Sequence, residues 1–229
     1  MTDQYLDYKK QVLECAASLS ASGYFGAQLG TGGNVSVRIP GQKAIAVTPS
    51  TIPYSQLKPA DICIVDFDGQ RIEGEYPPSV ESGMHLAVYK NRQDVNAVIH
   101  SHQPKASACA LLNEPIPALF DEVVLHVGHV VDIIPYALSG SPELAQHVAS
   151  KLSNGSNGYI IQNHGALCLG ATLNKAWLNV QLLEKTAQAY LDALSTGRPV
   201  TLIPKDIVDM LILIRQDAQA KEAAKNKDA

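Results

Sequence analysis

The sequence has 229 residues, of which 46% are hydrophobic and 17% charged, a composition typical of a globular protein with a substantial core. A formal net charge of −4, without a cluster of basic residues, argues against a nucleic-acid-binding protein. The polar N-terminal residues do not resemble a signal peptide, and no apolar run approaches the roughly 20 residues of a membrane span. We therefore expect a single cytoplasmic domain over residues 1–229 that binds neither nucleic acid nor membrane.

The first part of the chain predicts a helix followed by short strands. Apolar residues at helical spacing predict a helix over residues 3–21, and Gly23 follows as a stop signal. A second helix is predicted to begin at Ser79, whose hydroxyl is a candidate N-cap, with Glu81 in the first turn. Three short strands separated by turn signals are expected between the two helices, at residues 34–39, 44–48 and 62–66.

The rest of the chain begins with an apolar strand over residues 95–99 that runs into His100-Ser101-His102 and is stopped by Pro104. Short turns between the early strands favour a mixed or antiparallel sheet over a doubly wound parallel one. The four widely spaced cysteines show no paired motif and are expected to be reduced thiols. The remaining predicted elements are a short helix over 104–112, one or two strands over 123–135, a helix over 141–152, a strand over 158–162, the longest helix over 174–194, and a final helix from about 205 whose polar end, from about 218, should fray.

Histidines end two of the predicted strands. On a strand, residues i and i+2 face the same side about 6–7 Å apart, so His100 and His102 can converge on one ion. The same pattern is also compatible with two solvated histidines. His164 follows another apolar strand and precedes Gly165, where backbone bulk is minimal. Three imidazoles with an exchangeable fourth position are the ligand set of a catalytic zinc site.

Glu81 is the candidate for the fourth position, although the helix dipole alone favours an acid in a first helical turn. His85 lies one turn later and could chelate together with Glu81. Because the other two histidine segments already supply the imidazoles, we interpret His85 as structural. The histidines without a companion are interpreted as structural or surface residues, namely His126, His129 and His147.

The glycine-rich segment LGTGGNVSVR is a candidate anion-binding turn, because successive backbone N–H groups can surround an anion. It is neither a Rossmann nor a Walker loop, since it precedes a strand and contains no Gly-Lys pair. By itself it could be only a tight turn. Small polar residues that could complete a phosphate site are Asn34, Ser50, Thr51 and Ser79.

In this order, the segments GTGGNVSVR, TPSTIPY, PPSVESGMHLAVY, VIHSHQP and NHGALCLG resemble the class II aldolase/adducin family, most closely its L-fuculose-1-phosphate aldolase branch. The resemblance spans roughly residues 5–195. It implies an α/β fold of the α+β type, with a mostly antiparallel sheet between helix layers. It also implies a homotetramer with active sites between subunits and one Zn²⁺ per subunit. The implied zinc ligands are Glu81, His100, His102 and His164, and the implied phosphate-binding residues are Asn34, Ser50, Thr51 and Ser79.

Three positions depart from the family pattern. Thr51 stands where the family often has glycine, and Val80 stands where it has a second serine. Asp121 occupies the position at which the bacterial enzymes carry a tyrosine that protonates the aldehyde oxygen. We expect phosphate binding to be retained but weakened, and Asp121 to serve as the catalytic residue of the aldehyde half.

The resemblance implies a zinc-dependent aldolase that cleaves a ketose 1-phosphate, similar to L-fuculose 1-phosphate, to dihydroxyacetone phosphate and an aldehyde. Zinc would act as a Lewis acid, and Glu81 would move the proton. Dehydratase, 4-epimerase and decarboxylase activities of the same family, on a sugar phosphate or sugar acid, remain open. Glu81, in place of the aspartate of the ribulose-phosphate 4-epimerase branch, favours the aldolase. A non-enzymatic, adducin-like interaction module would not need the complete metal set.

Overall fold

The computed structural model describes residues 4–26 and 32–227. Three short 3₁₀ turns accompany the regular elements, at Tyr54–Gln56, Pro59–Asp61 and Leu152–Asn154. The helices are α1 (Leu6–Ala21), α2 (Ser82–Asn91), α3 (Pro104–Cys109), α4 (Asp121–His126), α5 (Pro142–Lys151), α6 (Leu173–Ser195) and α7 (Lys205–Lys227). The strands are β1 (Asn34–Arg38), β2 (Ala44–Val47), β3 (Cys63–Asp66), β4 (Arg71–Glu73), β5 (Ala97–Ser101), β6 (Ile116–Pro117), β7 (Val130–Ile134), β8 (Gly158–Ile161) and β9 (Gly165–Gly170).

The nine strands form one sheet in the order β4-β3-β2-β1-β5-β9-β8-β7-β6. Only the pair β7 and β8 is parallel, and every other neighbouring pair in the sheet is antiparallel. The parallel pair is joined through α5, because parallel strands need a long crossover connection. The mixed, mostly antiparallel α/β fold is therefore confirmed.

Both faces of the sheet are covered by helices. Side chains alternate along β5, so that Ala97 and Ile99 pack in the core formed with α1, α3 and α6. Val98 points to the other face, where it packs with residues of α2 and α5. The expected arrangement of a sheet between helix layers is confirmed.

The register of the central strands fixes where their polar ends lie. His100 of β5 is directly opposite Asn34 of β1 on one side and Leu167 of β9 on the other. His100 shares the face of Val98, which is the face covered by α2. The start of α2 is therefore brought over the end of β5.

The predicted N-cap of α2 is wrong. The helix begins at Ser82, and Glu81 occupies the N-cap position without a side-chain capping bond. Ser79 lies before the helix, where its N–H donates to Thr48 O (3.0 Å) beside the bridge between Pro49 and Pro78. The Ser79 hydroxyl instead accepts a hydrogen bond from the N–H of Glu81 at 3.3 Å.

The prediction of strands over residues 123–135 is wrong in its first half. Residues 121–126 form α4, which buries Val123 and Val124 while Asp121 and Glu122 lie exposed in the first turn. First-turn acids favour a helix start, and the one-sided burial of this segment outweighs the β propensity of valine. Only residues 130–134 form the expected strand, β7.

Differences at other boundaries are smaller. The strands β4, β6 and β9 are not among the predicted elements, and α3 ends three residues earlier than expected. The expected fraying from about residue 218 is not seen, since α7 continues to Lys227. Asn226 holds this end, because its side chain accepts from Asn96 Nδ2 (2.9 Å) and donates to Gln93 O (2.6 Å).

Two further expectations concern cysteines and membrane spans. Cys15, Cys63, Cys109 and Cys168 are all free, and only Cys15 is not fully buried. None of the helices in the described ranges has both the length and the apolar character needed to cross a membrane.

Candidate metal centre

The end of β5 supplies two imidazoles. His100 is the penultimate residue of the strand and is fully buried, whereas His102 is the first residue after the strand. The two Nε2 atoms are 2.9 Å apart, and the ring centroids are 4.7 Å apart. The N–H of His102 donates to Tyr24 O at 2.7 Å, which fixes the backbone just beyond the strand.

The third imidazole lies in the tight turn between β8 and β9. His164 N donates to Ile161 O at 3.1 Å, and Asn163 adopts a left-handed conformation with φ 55°. Asparagine tolerates this conformation better than most residues, and a three-residue hairpin turn requires it at one position. The ring centroid of His164 is 4.7 Å from that of His100 and 5.4 Å from that of His102.

Helix α6 clamps the chain that follows the histidine pair. Gln103 is fully buried, and its Nε2 donates to Val180 O at 3.0 Å. The carboxylate of Glu184 accepts hydrogen bonds from the N–H groups of Lys105 (3.0 and 3.1 Å) and Ala106 (3.0 Å), at the N-terminus of α3. Both contacts satisfy buried or helix-terminal groups and limit the movement of His102.

Glu81 completes the cluster, and each of its carboxylate oxygens has one donor and one imidazole. Oε2 accepts from Asn34 Nδ2 at 2.8 Å and lies 3.3 Å from His100 Nε2. Oε1 accepts from Ser139 Oγ at 2.8 Å and lies 3.3 Å from His164 Nε2. The structure therefore brings together the four residues that the sequence predicts as ligands.

The protonation states of these groups suit cation binding. Burial alone would raise the pKa of Glu81, but the adjacent imidazoles and the hydrogen bonds from Ser139 and Asn34 lower that pKa to about 2. Burial, together with the neighbouring imidazoles, lowers the pKa of His102 to about 3 and lowers that of His164 as well. At neutral pH the carboxylate is ionised and these imidazoles are neutral, so they need lose no proton to bind a metal.

The tautomer of His100 provides a direct test of whether this donor set fits a cation. His100 Nδ1 lies 2.9 Å from Ala166 O, and a carbonyl only accepts, so this nitrogen carries the hydrogen. In the neutral ring the lone pair is then on Nε2, which faces the Glu81 carboxylate and His102 Nε2. Lone pairs that point at one another repel unless a proton or cation lies among them. The imidazole nitrogens lie within 4.8 Å of one another, and three nitrogens with one carboxylate oxygen are a zinc donor set.

The candidate phosphate-binding residues lie on two adjoining segments next to Glu81. Ser50 Oγ accepts from Val80 N (3.1 Å) and donates to Pro78 O (3.0 Å), which ties the two segments together. Thr51 is exposed and has φ 65°, a conformation that glycine adopts freely and a β-branched residue does not. Asn34 directs its amide to Glu81, so it lies beside the carboxylate.

Only part of the glycine-rich segment can be described, since residues 27–31 lie outside the described ranges. Gly32 packs directly on the metal-site candidates, because a Cβ there would lie 2.8 Å from His102 Nδ1. The predicted anion-binding role of the segment stays a prediction.

The other candidate residues lie apart from the cluster. Asp121 is an exposed first residue of α4 and is not in the group of possible ligands found among the described residues. His85 is fully buried, and its Nδ1 lies 2.6 Å from Ser36 Oγ, in agreement with a structural role. His126, His129 and His147 likewise do not join the group.

Sequence reasoning missed three residues that shape the site, namely Ser139, Gln103 and Glu184. Ser139 contacts Glu81, which is 58 positions away in the sequence, and Glu184 contacts Lys105, which is 79 positions away. No local pattern could have indicated either pairing. Gln103 had one sequence signal, because its position after His102 continues the strand alternation and places it on the side opposite to His100 and His102.

The chain is similar to known proteins over most of its length. The family model described as the class II aldolase and adducin N-terminal domain matches residues 10–191. An L-fuculose phosphate aldolase from Escherichia coli is 36% identical over 187 residues, which cover 82% of this chain and 85% of that protein. A 5-methylthioribulose-1-phosphate/5-deoxyribulose-1-phosphate aldolase from another Escherichia coli strain is 39% identical over 170 residues, 74% of this chain and 76% of that protein. A solved L-fuculose 1-phosphate aldolase has a TM-score of 0.84 and 32% identity, covering 93% of this chain and 96% of that chain.

Gly165 is where the hairpin carrying His164 meets the strand carrying the other histidines. A Cβ at Gly165 would lie 2.5 Å from Ser101 O and 2.7 Å from His102 Cδ2. We therefore predict that Gly165→Ala separates the two segments, costs about 1–3 kcal/mol of unfolding free energy, and weakens metal binding. Denaturant unfolding and Co²⁺ titration measure the two effects.

Gly83 in α2 is the matched control for this substitution, because a Cβ there meets nothing within 4 Å. Gly83→Ala should be neutral or stabilise the protein by about 0.5–1 kcal/mol, as expected for alanine in a helix. Parental stability and metal affinity in Gly165→Ala would show that the close approach at Gly165 is not needed.

Proposed function

The chain belongs to the class II aldolase and adducin family and is a lyase of the aldolase type, and we propose that it cleaves a ketose 1-phosphate in a zinc-dependent reaction. The proposed products are dihydroxyacetone phosphate and an aldehyde, as for L-fuculose 1-phosphate. The observation that carries this proposal is the convergence of Glu81 with the imidazoles of His100 and His164, with His102 beside them. The aldolase relatives named above support a phosphorylated sugar as the substrate class.

The proposed ligands of one Zn²⁺ per subunit are His100, His102, His164 and Glu81. When bound there, the cation supplies Lewis acidity toward the oxygens of a carbonyl substrate. The carbonyl of Ala166 orients His100 by accepting from Nδ1 (2.9 Å), an arrangement common among metal-binding histidines. The presence of all four residues, with His100 oriented in this way, favours a zinc enzyme over a non-enzymatic interaction module, which would not need the complete set.

Glu81 is proposed to exchange the proton of the reaction. In cleavage, the bond between C3 and C4 of the ketose breaks, the C4 hydroxyl loses its proton, and C3 gains one. Oε1 of Glu81 is the oxygen on the more exposed side, since it faces the partly exposed His164 while Oε2 faces the buried His100. We propose that this oxygen takes up a proton from water on the open side of the site and delivers it to C3, while the proton of the C4 hydroxyl leaves to solvent by a separate route.

The phosphate is proposed to bind beside Glu81, at Ser50, Thr51, Ser79 and Asn34. The Ser79 hydroxyl accepts from Glu81 N, so its own proton is available to an anion. Val80 offers no hydroxyl and is 67% exposed at this edge. Hydrogen bonds to a charged group contribute about 1.5–3 kcal/mol each, so binding with one fewer donor should be weaker.

Asp121 is proposed to serve the aldehyde half of the reaction by taking the proton of the C4 hydroxyl. Because Asp121 is exposed on α4 and outside the cluster, we propose that it serves the site of a neighbouring subunit. A homotetramer with sites between subunits would allow it. Two exposed apolar side chains beside the cluster support an interface there. Val80 precedes Glu81 in the sequence, and Leu138 precedes Ser139, whose hydroxyl contacts Glu81.

The free thiols of the cysteines support a cytoplasmic location.

Replacing the proposed proton carrier should separate turnover from binding. We predict that Glu81→Gln lowers kcat by about 10²–10⁴-fold, because the amide cannot accept the transferred proton. His102→Ala should lose most of the bound metal and nearly all activity. Glu143→Gln on α5 is the control, since Glu143 is a largely exposed acid whose ion pair is with His147 rather than with a residue of the cluster. Near-normal turnover in Glu81→Gln would show that Glu81 does not transfer the proton.

A panel of phosphorylated ketoses tests the reaction itself. With zinc present and a coupled assay for dihydroxyacetone phosphate, we expect cleavage of short ketose 1-phosphates with low selectivity for the aldehyde. The low selectivity is expected because Asp121 replaces the tyrosine of the related enzymes. Should no ketose phosphate release that product while a sugar acid releases carbon dioxide, the decarboxylase alternative replaces the aldolase. Dehydrated or epimerised products would favour the other two alternatives.

The proposed quaternary structure is tested by light scattering at assay concentrations. We expect the mass of a tetramer of the 24.5 kDa chain. A fully active monomer would refute both the tetramer and the contribution of Asp121 from a neighbouring subunit.

A further inference from the structure

Ser139 lies in the loop between β7 and α5, and this loop rests on the segment that carries Glu81. Gly140, with φ 76°, makes the close approach possible. A Cβ at Gly140 would lie 3.0 Å from Val80 O and 3.2 Å from Val80 Cβ. The residue before it, Ser139, is exposed and donates its hydroxyl proton to Glu81 Oε1 at 2.8 Å.

The two hydrogen bonds to the Glu81 carboxylate come from different environments. Asn34 donates to Oε2 from the buried side, at the centre of the sheet. Ser139 donates to Oε1 from the solvent side. The terminal torsion of a glutamate side chain is broad, so a single hydrogen bond does not fix the plane of the carboxylate. The second bond, at the other oxygen, does.

We propose that Ser139 is a positioning residue, whose hydroxyl holds Oε1 of Glu81 toward His164 and the open side of the site. The hydrogen bond from Asn34 alone would hold Oε2 but would leave the position of Oε1 unfixed. With Ser139 in place, Oε1 is held 3.3 Å from His164 Nε2, where it can share a cation with the imidazoles. The consequence for turnover rests on the proposed function, whereas the consequence for metal binding does not.

The test compares three variants of the intact chain. Ser139→Ala removes the hydroxyl, and Ser139→Thr keeps it at an exposed position with room for a methyl group. Ser141→Ala is the matched control, because Ser141 lies two residues away and caps α5 by accepting from Leu144 N at 3.2 Å. Thermal melting should show a lower Tm for Ser141→Ala and little change for Ser139→Ala.

The first measurement is the affinity for Co²⁺ alone, followed by visible absorption. Replacing a residue that orients a metal ligand commonly costs 10–100-fold in affinity, and water can partly replace an exposed hydroxyl, so we expect a loss of about 3–30-fold in Ser139→Ala. Ser139→Thr and Ser141→Ala should stay within about twofold of the parent, well below the tenfold costs typical of such residues.

The second measurement is steady-state kinetics on whichever ketose phosphate of the panel is cleaved. We expect Ser139→Ala to lower kcat more than it changes KM, because a misplaced proton carrier affects the chemical step. Unchanged Co²⁺ affinity in Ser139→Ala would overturn the proposal, as would equal losses in Ser139→Ala and Ser141→Ala. Failure of threonine to restore affinity would also overturn it. If no substrate is found, the Co²⁺ result decides the role of Ser139 while the proposed aldolase activity falls separately.

Discussion

Glu81 is only 5% exposed, and a buried charge without partners costs several kilocalories per mole. Its two oxygens are therefore surrounded by donors and imidazoles that come from separate parts of the chain. Asn34 belongs to β1, His100 to β5, His164 to the turn before β9, and Ser139 to the loop after β7. The sheet order β1-β5-β9 brings three of these four elements side by side. The candidate site thus depends on the sheet being assembled in this order.

The position of β5 within the sheet explains why its end can hold the histidine side chains in a fixed geometry. The strand is paired on both sides, and a slip of one residue would turn His100 to the opposite face, where α6 packs. Beyond the strand, where pairing ends, α6 restrains the chain, because Val180 O accepts from Gln103 and the Glu184 carboxylate accepts from the N–H of Lys105. His102 is therefore as well supported as a strand residue although it lies outside β5.

The residues that the sequence predicts to converge, and that the structure brings together, are those with a local signature. The alternation of His100 and His102 and the glycine after His164 are readable within a few residues, and the order of motifs indicated the family. Contacts between distant segments have no such signature, which is why Ser139 was missed. The error at α4 has a different cause, because valine-rich segments favour strands by propensity while the burial of Val123 and Val124 on one helix side depends on neighbours.

The candidate site residues fall into a buried group and an exposed group, which differ in their freedom to change. Asn34, His100 and Glu81 are buried, and each is held by partners that a substitution would leave unsatisfied. The positions that depart from the family pattern, Thr51, Val80 and Asp121, are all exposed. Ser139, which completes the support of Glu81, lies on this exposed side as well. Under the proposed function, the buried residues carry the metal chemistry, whereas substitutions that alter substrate preference can be accommodated at the exposed positions without disturbing the core.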